Sequence, residues 1–98
     1  MKLDIRVRPA AESDVEELFH WYEEQSPGLG RRFVNELDVV YARIQVTPRI
    51  YATLYRGIRR AMLKRFPVGV FYVEKESVVK VVAVNHLARN PSVWQRRN

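Results

Sequence analysis

Residues 78–84, with the sequence VVKVVAV, constrain the fold more than any other segment of this chain. Valine is branched at Cβ and favours extended backbone, so the run predicts a β-strand. A strand that is apolar at nearly every position, rather than at every second one, is typical of a central strand covered on both faces. The rest of the chain must therefore supply strands beside it and apolar elements above and below it.

Other segments have the composition of such neighbouring strands. Residues 3–8 alternate apolar and polar side chains, which predicts a half-buried strand with Leu3, Ile5 and Val7 facing inward. Residues 60–66 and 68–73 are rich in β-formers, and a further short strand is expected near residues 51–54. The polar residues 74–77 form a short turn, so the strand before them pairs antiparallel with the valine-rich strand.

Between the first strand and these segments, apolar residues recur at helical spacing. Residues 10–25 predict an amphipathic helix whose polar face carries acidic side chains expected to be solvated: Glu12, Asp14, Glu16, Glu17, Glu23 and Glu24. A second apolar stripe predicts a helix that ends before Thr47-Pro48, with Leu29, Phe33, Leu37, Val40, Tyr41 and Ile44 on one side. Ser26 is the expected cap of the second helix and Pro27 its first residue, so the two helices form an antiparallel hairpin.

The resulting order is β-α-α-β-β-β, with a short helical turn expected within residues 90–97. We predict one α+β domain over residues 1–98, in which the helical hairpin packs on an antiparallel β-sheet. The most buried residues are predicted to be Leu18, Phe33, Leu37, Val70, Val82 and Val84.

Charge is distributed unevenly along the chain. Residues 1–48 hold six basic and nine acidic side chains, whereas residues 49–98 hold eleven basic and two acidic ones. This asymmetry favours an acidic or polyanionic partner that docks on the second half. The chain has no cysteine, no apolar run near the ~20 residues of a membrane span and no signal-peptide pattern, so we expect a cytoplasmic protein without disulfides.

Several classes of site are not supported by the sequence. The four glycines form no phosphate-binding loop, and His20 and His86 lack a third ligand at metal-binding spacing. The serines have no nucleophile-elbow context. We therefore expect no metal site and no cofactor.

The candidate functional residues are basic and lie in the second half. Arg56, Arg59 and Arg60 surround the start of the third strand, and Lys64 and Arg65 follow on the same strand. Such arginines also pair with acidic side chains or protect an edge strand from aggregation, so a structural role is an equal alternative for each residue.

A second candidate group follows the valine-rich strand. It comprises His86, Arg89, Trp94, Arg96 and Arg97. Histidine can transfer a proton near neutral pH, arginine can stabilise a phosphoryl charge, and an aromatic ring can stack on a base. These residue types together are those of a ribonuclease, although their spacing alone does not establish a site.

The stretches IRRAMLKRFPVGVFYV and VVAVNHLARNPSVW, with the turn at residues 26–30 and the element order, resemble the RelE/ParE toxin superfamily. The resemblance covers almost the whole chain. It implies a toxin of a type II toxin–antitoxin system that a co-expressed antitoxin wraps around and neutralises, with a toxin–antitoxin hetero-oligomer as one expected assembly. RelE-like members cut mRNA on the ribosome, whereas ParE-like members poison DNA gyrase.

One position separates the two branches. RelE-like toxins often carry an arginine three residues before the tyrosine of the penultimate strand, and the position three residues before Tyr72 is Gly69. The resemblance therefore favours a ParE-like gyrase poison that uses Arg56, Arg59, Arg60, Arg65, Arg89, Trp94, Arg96 and Arg97 for target or partner binding. The alternative is a ribosome-dependent endoribonuclease that uses Arg60, Lys64, Arg65, His86 and Arg89. A non-toxic basic binding module is the third hypothesis.

Overall fold

A computed structural model describes residues 2–97 and confirms the α+β class and the predicted order of elements. Its helices and strands are β1 (Asp4–Val7), α1 (Pro9–Gln25), α2 (Leu29–Val46), β2 (Thr53–Tyr55), β3 (Ile58–Met62), β4 (Val68–Lys75), β5 (Val78–His86) and α3 (Ser92–Gln95). The short strand expected near residues 51–54 is β2, and the expected C-terminal helical turn is α3.

The strands form one sheet in the order β1-β5-β4-β3-β2. The valine-rich strand β5 therefore lies inside the sheet, between β1 and β4, as predicted. The sheet is mixed rather than fully antiparallel, because β1 runs parallel to β5 with Ile5 opposite Val79 and Val7 opposite Val81. No hairpin joins these two strands, and both helices intervene in the connection, so turn geometry did not determine their direction.

A β-bulge explains why the valine run is nearly continuous. Phe71 and Tyr72 of β4 are opposite Ala83 and Val81, so Val82 is the extra residue on β5. Val81 and Val84 consequently face the helices, whereas Val82 and Ala83 both lie in the cluster on the other side of the sheet. Both faces are covered, which is why β5 is apolar at almost every position.

The helical hairpin covers one face of the sheet, and its core forms around aromatic rings. Phe33 of α2 is fully buried, with ring centroids 5.4 Å from Tyr22 and 5.7 Å from Phe66. Five of the six residues predicted to be most buried are exposed by 2% or less. The prediction was wrong for Leu18, which is half-buried because it lies at the margin of α1 and lines a surface pocket.

The turn between the helices differs from the prediction. Ser26 ends α1 instead of capping α2, and α2 begins at Leu29, so Pro27 is not its first residue. The carboxylate of Glu23 performs the capping instead, since it accepts hydrogen bonds of 2.9 Å from the backbone N–H groups of Gly28 and Gly30. A Cβ atom at Gly30 would lie 2.7 Å from the carbonyl oxygen of Phe19, so only glycine fits there.

Helix α3 covers the opposite face of the sheet, which we call the outer face. Its Trp94 packs with Phe71, Val73 and Val82. The residue after α3's C-cap, Arg97, forms an ion pair with Asp14 of α1. Asp14 is only 6% exposed, so its predicted position on a solvated helix face was wrong.

Candidate partner-binding surfaces

The structure separates the basic residues predicted for a nuclease site into three places. Lys64 and Arg65 line a groove beside α2, and His86 and Arg89 line a smaller pocket beside α1. Arg60 lies on the outer face, because it is opposite the buried Phe71. By strand register His86 is opposite Val68, which belongs to the helix-covered side, so Arg60 and His86 lie on opposite sides of the sheet.

The groove beside α2 is the larger of these two surfaces, with a volume of about 730 Å³. Its lining combines apolar and charged side chains from both halves of the chain: Tyr22, Leu29, Arg32, Asn35, Glu36, Val39, Lys64, Arg65, Phe66 and Pro67. Val39 is 56% exposed although it is a large aliphatic residue. Val39 lies outside the core stripe of α2. A large aliphatic residue at such a position is the sequence feature that could have indicated this groove.

One wall of the groove is the loop between β3 and β4. Strand β3 ends at Met62, so Lys64 and Arg65 lie in this loop and not on the strand where the sequence analysis placed them. Both of their backbone N–H groups donate to one carboxylate oxygen of Glu36, at 2.6 and 2.9 Å. Glu36 therefore fixes the loop to α2 and leaves the two cationic side chains exposed.

The chemistry of the groove matches an amphipathic segment. Apolar side chains line it together with three cations, Arg32, Lys64 and Arg65, and one acidic residue. A helix or extended segment with an apolar face and acidic flanks could bury the exposed aliphatic surface and pair with these cations.

The smaller pocket, about 210 Å³, contains His86 and Arg89 together with the half-exposed Trp21. The imidazole Nδ1 of His86 accepts a hydrogen bond of 3.0 Å from the backbone N–H of Ala88, and the His86 carbonyl accepts one of 2.9 Å from Arg89. His86 thus organises the turn that follows β5, which is a structural role that the sequence did not indicate.

The outer face is filled by neighbouring side chains at Gly69. A Cβ atom at Gly69 would lie 3.1 Å from the Cγ and Cδ atoms of Arg60 and 3.3 Å from Cδ2 of Leu87. The space beside Gly69 is thus already occupied by the methylene groups of Arg60. Any larger side chain at this position would have to displace them.

Trp94 also has a different environment from the one its residue type suggested. Its ring stacks on Phe71 with centroids 4.5 Å apart and an angle of 16° between the planes, and Tyr55 packs edge-on at 6.4 Å. Trp94 is 7% exposed. Its ring is therefore part of the core and is not available to stack on a nucleic-acid base or a partner.

The remaining arginines of the predicted binding set differ in their contacts within the protein and in their exposure to solvent. One terminal nitrogen of Arg59 donates to the carbonyl of Tyr51 at 2.5 Å, and the guanidinium of Arg97 binds Asp14. Arg56 lies over the ring of Tyr55, 5.2 Å from its centroid. Arg65, Arg89 and Arg96 are exposed. Arg59 and Arg97 are therefore held within the protein, and the exposed basic surface contains fewer arginines than the sequence predicts.

Within residues 2–97, no group of three His, Cys, Asp or Glu side chains is arranged to hold a metal ion. No helix in that part of the chain has both the length and the apolarity to cross a membrane.

The chain resembles known proteins over most of its length. A family model described as "ParE toxin of type II toxin-antitoxin system, parDE" matches residues 5–91. Toxin ParE2 from two strains of Mycobacterium tuberculosis is 30% identical over 89 residues, which is 90% of this chain and 85% of the relative.

Two solved structures have a similar fold. The chromosomal ParDE toxin–antitoxin system from P. aeruginosa superposes with a TM-score of 0.77 at 15% identity, over 87% of this chain and 96% of that one. The toxin–antitoxin complex RelBE2 from Mycobacterium tuberculosis gives a TM-score of 0.60 at 17% identity, over 88% of this chain and 99% of that one. At these identities the matches show the fold alone.

Proposed function

The chain belongs to the ParE toxin family of type II toxin–antitoxin systems, and we propose that it arrests growth by poisoning DNA gyrase. We further propose that a cognate antitoxin neutralises it by binding in the groove beside α2. Gyrase acts on chromosomal DNA, so the proposed site of action is the cytoplasm.

The observation that carries the proposal is the packing of the outer face around Gly69. A ribonuclease of this fold would need cations around the scissile phosphate and an acid or base within reach. Here the methylene groups of Arg60 pack against Gly69, and the Phe71–Trp94 stack occupies the neighbouring part of the face. His86 lies on the other side of the sheet, so it cannot act as the acid or base beside Arg60.

The proposed antitoxin site rests on the composition of the groove. Val39 exposes 56% of its surface there, and fully burying an exposed side chain of this type contributes about 1.5–3 kcal/mol, so covering the exposed part contributes roughly half of that. Lys64 and Arg65 stand on the same rim, where acidic side chains of a partner would meet them. An antitoxin segment bound here would also cover the loop between β3 and β4, and the assembly would be a toxin–antitoxin hetero-oligomer.

Purified gyrase provides the direct test. We expect the protein to inhibit supercoiling of relaxed plasmid and to increase the cleaved fraction, and we expect cells expressing it to induce the DNA-damage response. A synthetic peptide with the sequence of the cognate antitoxin's amphipathic segment should restore supercoiling. Unchanged supercoiling combined with cleavage of ribosome-bound mRNA would replace this proposal with the endoribonuclease alternative. Expression without growth arrest would favour the binding-module hypothesis.

A further inference from the structure

The outer face carries a second cationic group that does not coincide with the residues selected from the sequence. Arg6 of β1 is directly opposite Lys80 of β5 in the parallel register. Lys80 is in turn opposite Val73 of β4, and Lys75 lies two residues further along β4. Ile5, Val7, Val79 and Val81 pack towards the helices, so alternation places Arg6, Lys75 and Lys80 on the outer face. We call these three residues the outer cation cluster.

No member of the cluster forms an ion pair with another described residue. Among residues 2–97, the ion pairs are Arg49–Glu74 and Asp14–Arg97, and neither includes a member of the cluster. Asp4 is the one acidic side chain that the described strands place on this face. Like charges directly opposite on neighbouring strands destabilise a sheet, so the Arg6–Lys80 pair has an energetic cost that folding itself does not explain.

Two further cations extend the charged surface across the face. Arg60 on β3 is opposite Phe71, and Arg96 is exposed directly after α3. Neighbouring strands are about 4.8 Å apart, so the cations from β1 to β3 span four strands. Trp94 of α3 covers Phe71 and Val73 between Lys80 and Arg60, so a linear polyanion could contact the cluster on β1, β5 and β4 but would have to pass α3 to reach Arg60.

From this arrangement we propose that the outer face binds the phosphate backbone of double-stranded DNA, without reading its sequence. The inference does not depend on which enzyme the toxin inhibits. Duplex DNA carries one negative charge for about every 1.7 Å of its axis, a density that suits a row of unpaired cations.

Two observations favour duplex DNA over other acidic partners. The rings on this face, Phe71 and Trp94, are buried, so they cannot stack on the bases of a single strand. The large hydrophobic residues that are exposed are Trp21, Val39, Val46, Ile50, Leu54, Met62 and Leu87. None belongs to β1 or to residues 73–80, so the cluster itself lacks the apolar anchor of a typical protein interface. Met62 shares the outer face with Arg60, but it lies on β3, away from the three residues of the cluster.

The test measures binding of the purified full-length chain to a labelled duplex of about 20 base pairs, by fluorescence anisotropy at salt concentrations from about 50 to about 200 mM. We expect a Kd of about 10⁻⁴ to 10⁻⁶ M that is independent of sequence and weakens with salt. In the double variant R6Q/K80Q, two phosphate contacts are lost. The slope of log affinity against log salt should then decrease by about 2 and binding at low salt should weaken about tenfold.

The double variant R31Q/R43Q removes the same charge from α2 on the other side of the molecule, and it should bind DNA nearly as well as the unmodified chain. Thermal melting confirms that each variant is folded, and R6Q/K80Q should melt at an equal or higher temperature because the cross-strand repulsion is gone. Equal losses in both double variants, tighter binding to single-stranded or double-stranded RNA than to DNA, or no binding at low salt would overturn the proposal.

Discussion

Asp14 and Arg97 are 83 residues apart in sequence, and their side chains form an ion pair with oxygen–nitrogen distances of 2.5 and 3.2 Å. Strand β1 ends at Val7, so the edge of β5 beyond it has no strand partner. The same two side chains supply the missing hydrogen bonds. Asp14 accepts one from the backbone N–H of Val84 at 3.0 Å, and Arg97 donates one to the Val82 carbonyl at 3.2 Å. The pair thus completes the sheet at the bulge.

This relationship predicts an asymmetric response to truncation. The side chain of Asp14 is 7% exposed and that of Arg97 is 23% exposed. Asp14→Ala leaves the backbone N–H of Val84 without its acceptor and the partly buried guanidinium without its counter-ion, and it should lower the free energy of unfolding by about 3 kcal/mol. Arg97→Ala leaves the Asp14 carboxylate without its counter-ion, but the carboxylate keeps the N–H of Val84 and water can enter the space of the partly exposed guanidinium, so the loss should be about 2 kcal/mol. Urea denaturation measures both. A coupling energy near zero in the double variant, or an equal loss in the exposed control Arg96→Ala, would contradict this account.

The ion pair also illustrates what the sequence could not reveal. Periodicity identified both long helices and β5, because each pattern depends on residues within one element. Asp14 was assigned to a solvated face, since its spacing within α1 matches that of its acidic neighbours. Burial of Asp14 is favourable because Arg97, at the other end of the chain, forms an ion pair with it. The parallel pairing of β1 with β5 escaped prediction for the same reason, because the contact is distant in sequence.

The sequence predicts less about the candidate binding surfaces than about the helices and strands. The charge asymmetry predicts a partner that docks on the second half, and this stays a prediction; Lys64 and Arg65 in that half are exposed. Their position in a loop depends on Glu36, which belongs to a different element and gives no local signal. Trp94 has the residue type of a stacking partner, but its burial against Phe71 is decided by how α3 folds back on the sheet.

The core prediction concerns Phe33. This ring is fully buried between Tyr22 and Phe66, so Phe33→Ala should lower the free energy of unfolding by about 3–5 kcal/mol. The half-buried Leu18 is the matched comparison on α1, and Leu18→Ala should cost clearly less. Chemical denaturation of the two variants gives the comparison. Equal losses would mean that the assigned helix faces are incorrect.

The cap formed by Glu23 predicts a pH dependence of stability. The hydrogen bonds from the backbone of Gly28 hold the pKa of Glu23 below its usual value of 4.5, and those from Gly30 and Arg31 act in the same direction. Because the folded-state pKa is lowered, the cap stabilises the protein above the unfolded pKa, and this contribution is lost as pH falls through the folded pKa. Melting temperatures measured from about pH 6 down to about pH 3 should therefore fall less steeply for Glu23→Gln than for the unmodified chain. The neighbouring exposed Glu24→Gln serves as the control and should follow the unmodified curve.

The groove beside α2 predicts how antitoxin binding responds to mutation and salt. Val39→Asp places a charge on the apolar lining, and Lys64→Glu reverses a cation on the rim. Each change should weaken binding of the cognate antitoxin about tenfold or more, as measured by calorimetry, without loss of folding because both side chains are exposed. The affinity of the unmodified pair should decrease as salt increases. If the affinity did not change with salt, the groove cations would not contribute to antitoxin binding. If both variants bound with full affinity, the antitoxin would bind at another surface.

The decisive prediction for mechanism concerns His86. Its Nδ1 accepts the backbone N–H of Ala88, and the amide oxygen of a glutamine could accept the same hydrogen bond. If the protein poisons gyrase, His86→Gln should leave growth arrest nearly intact, because the residue only organises a turn. A nuclease that used His86 as acid or base would lose about 10²–10⁴-fold in cleavage rate from the same change. Growth arrest by the variant, measured at matched expression level alongside inhibition of supercoiling, distinguishes the two. Abolished toxicity in a folded His86→Gln variant, with supercoiling unaffected by the unmodified protein, would assign the chain to the mRNA-cleaving mechanism instead.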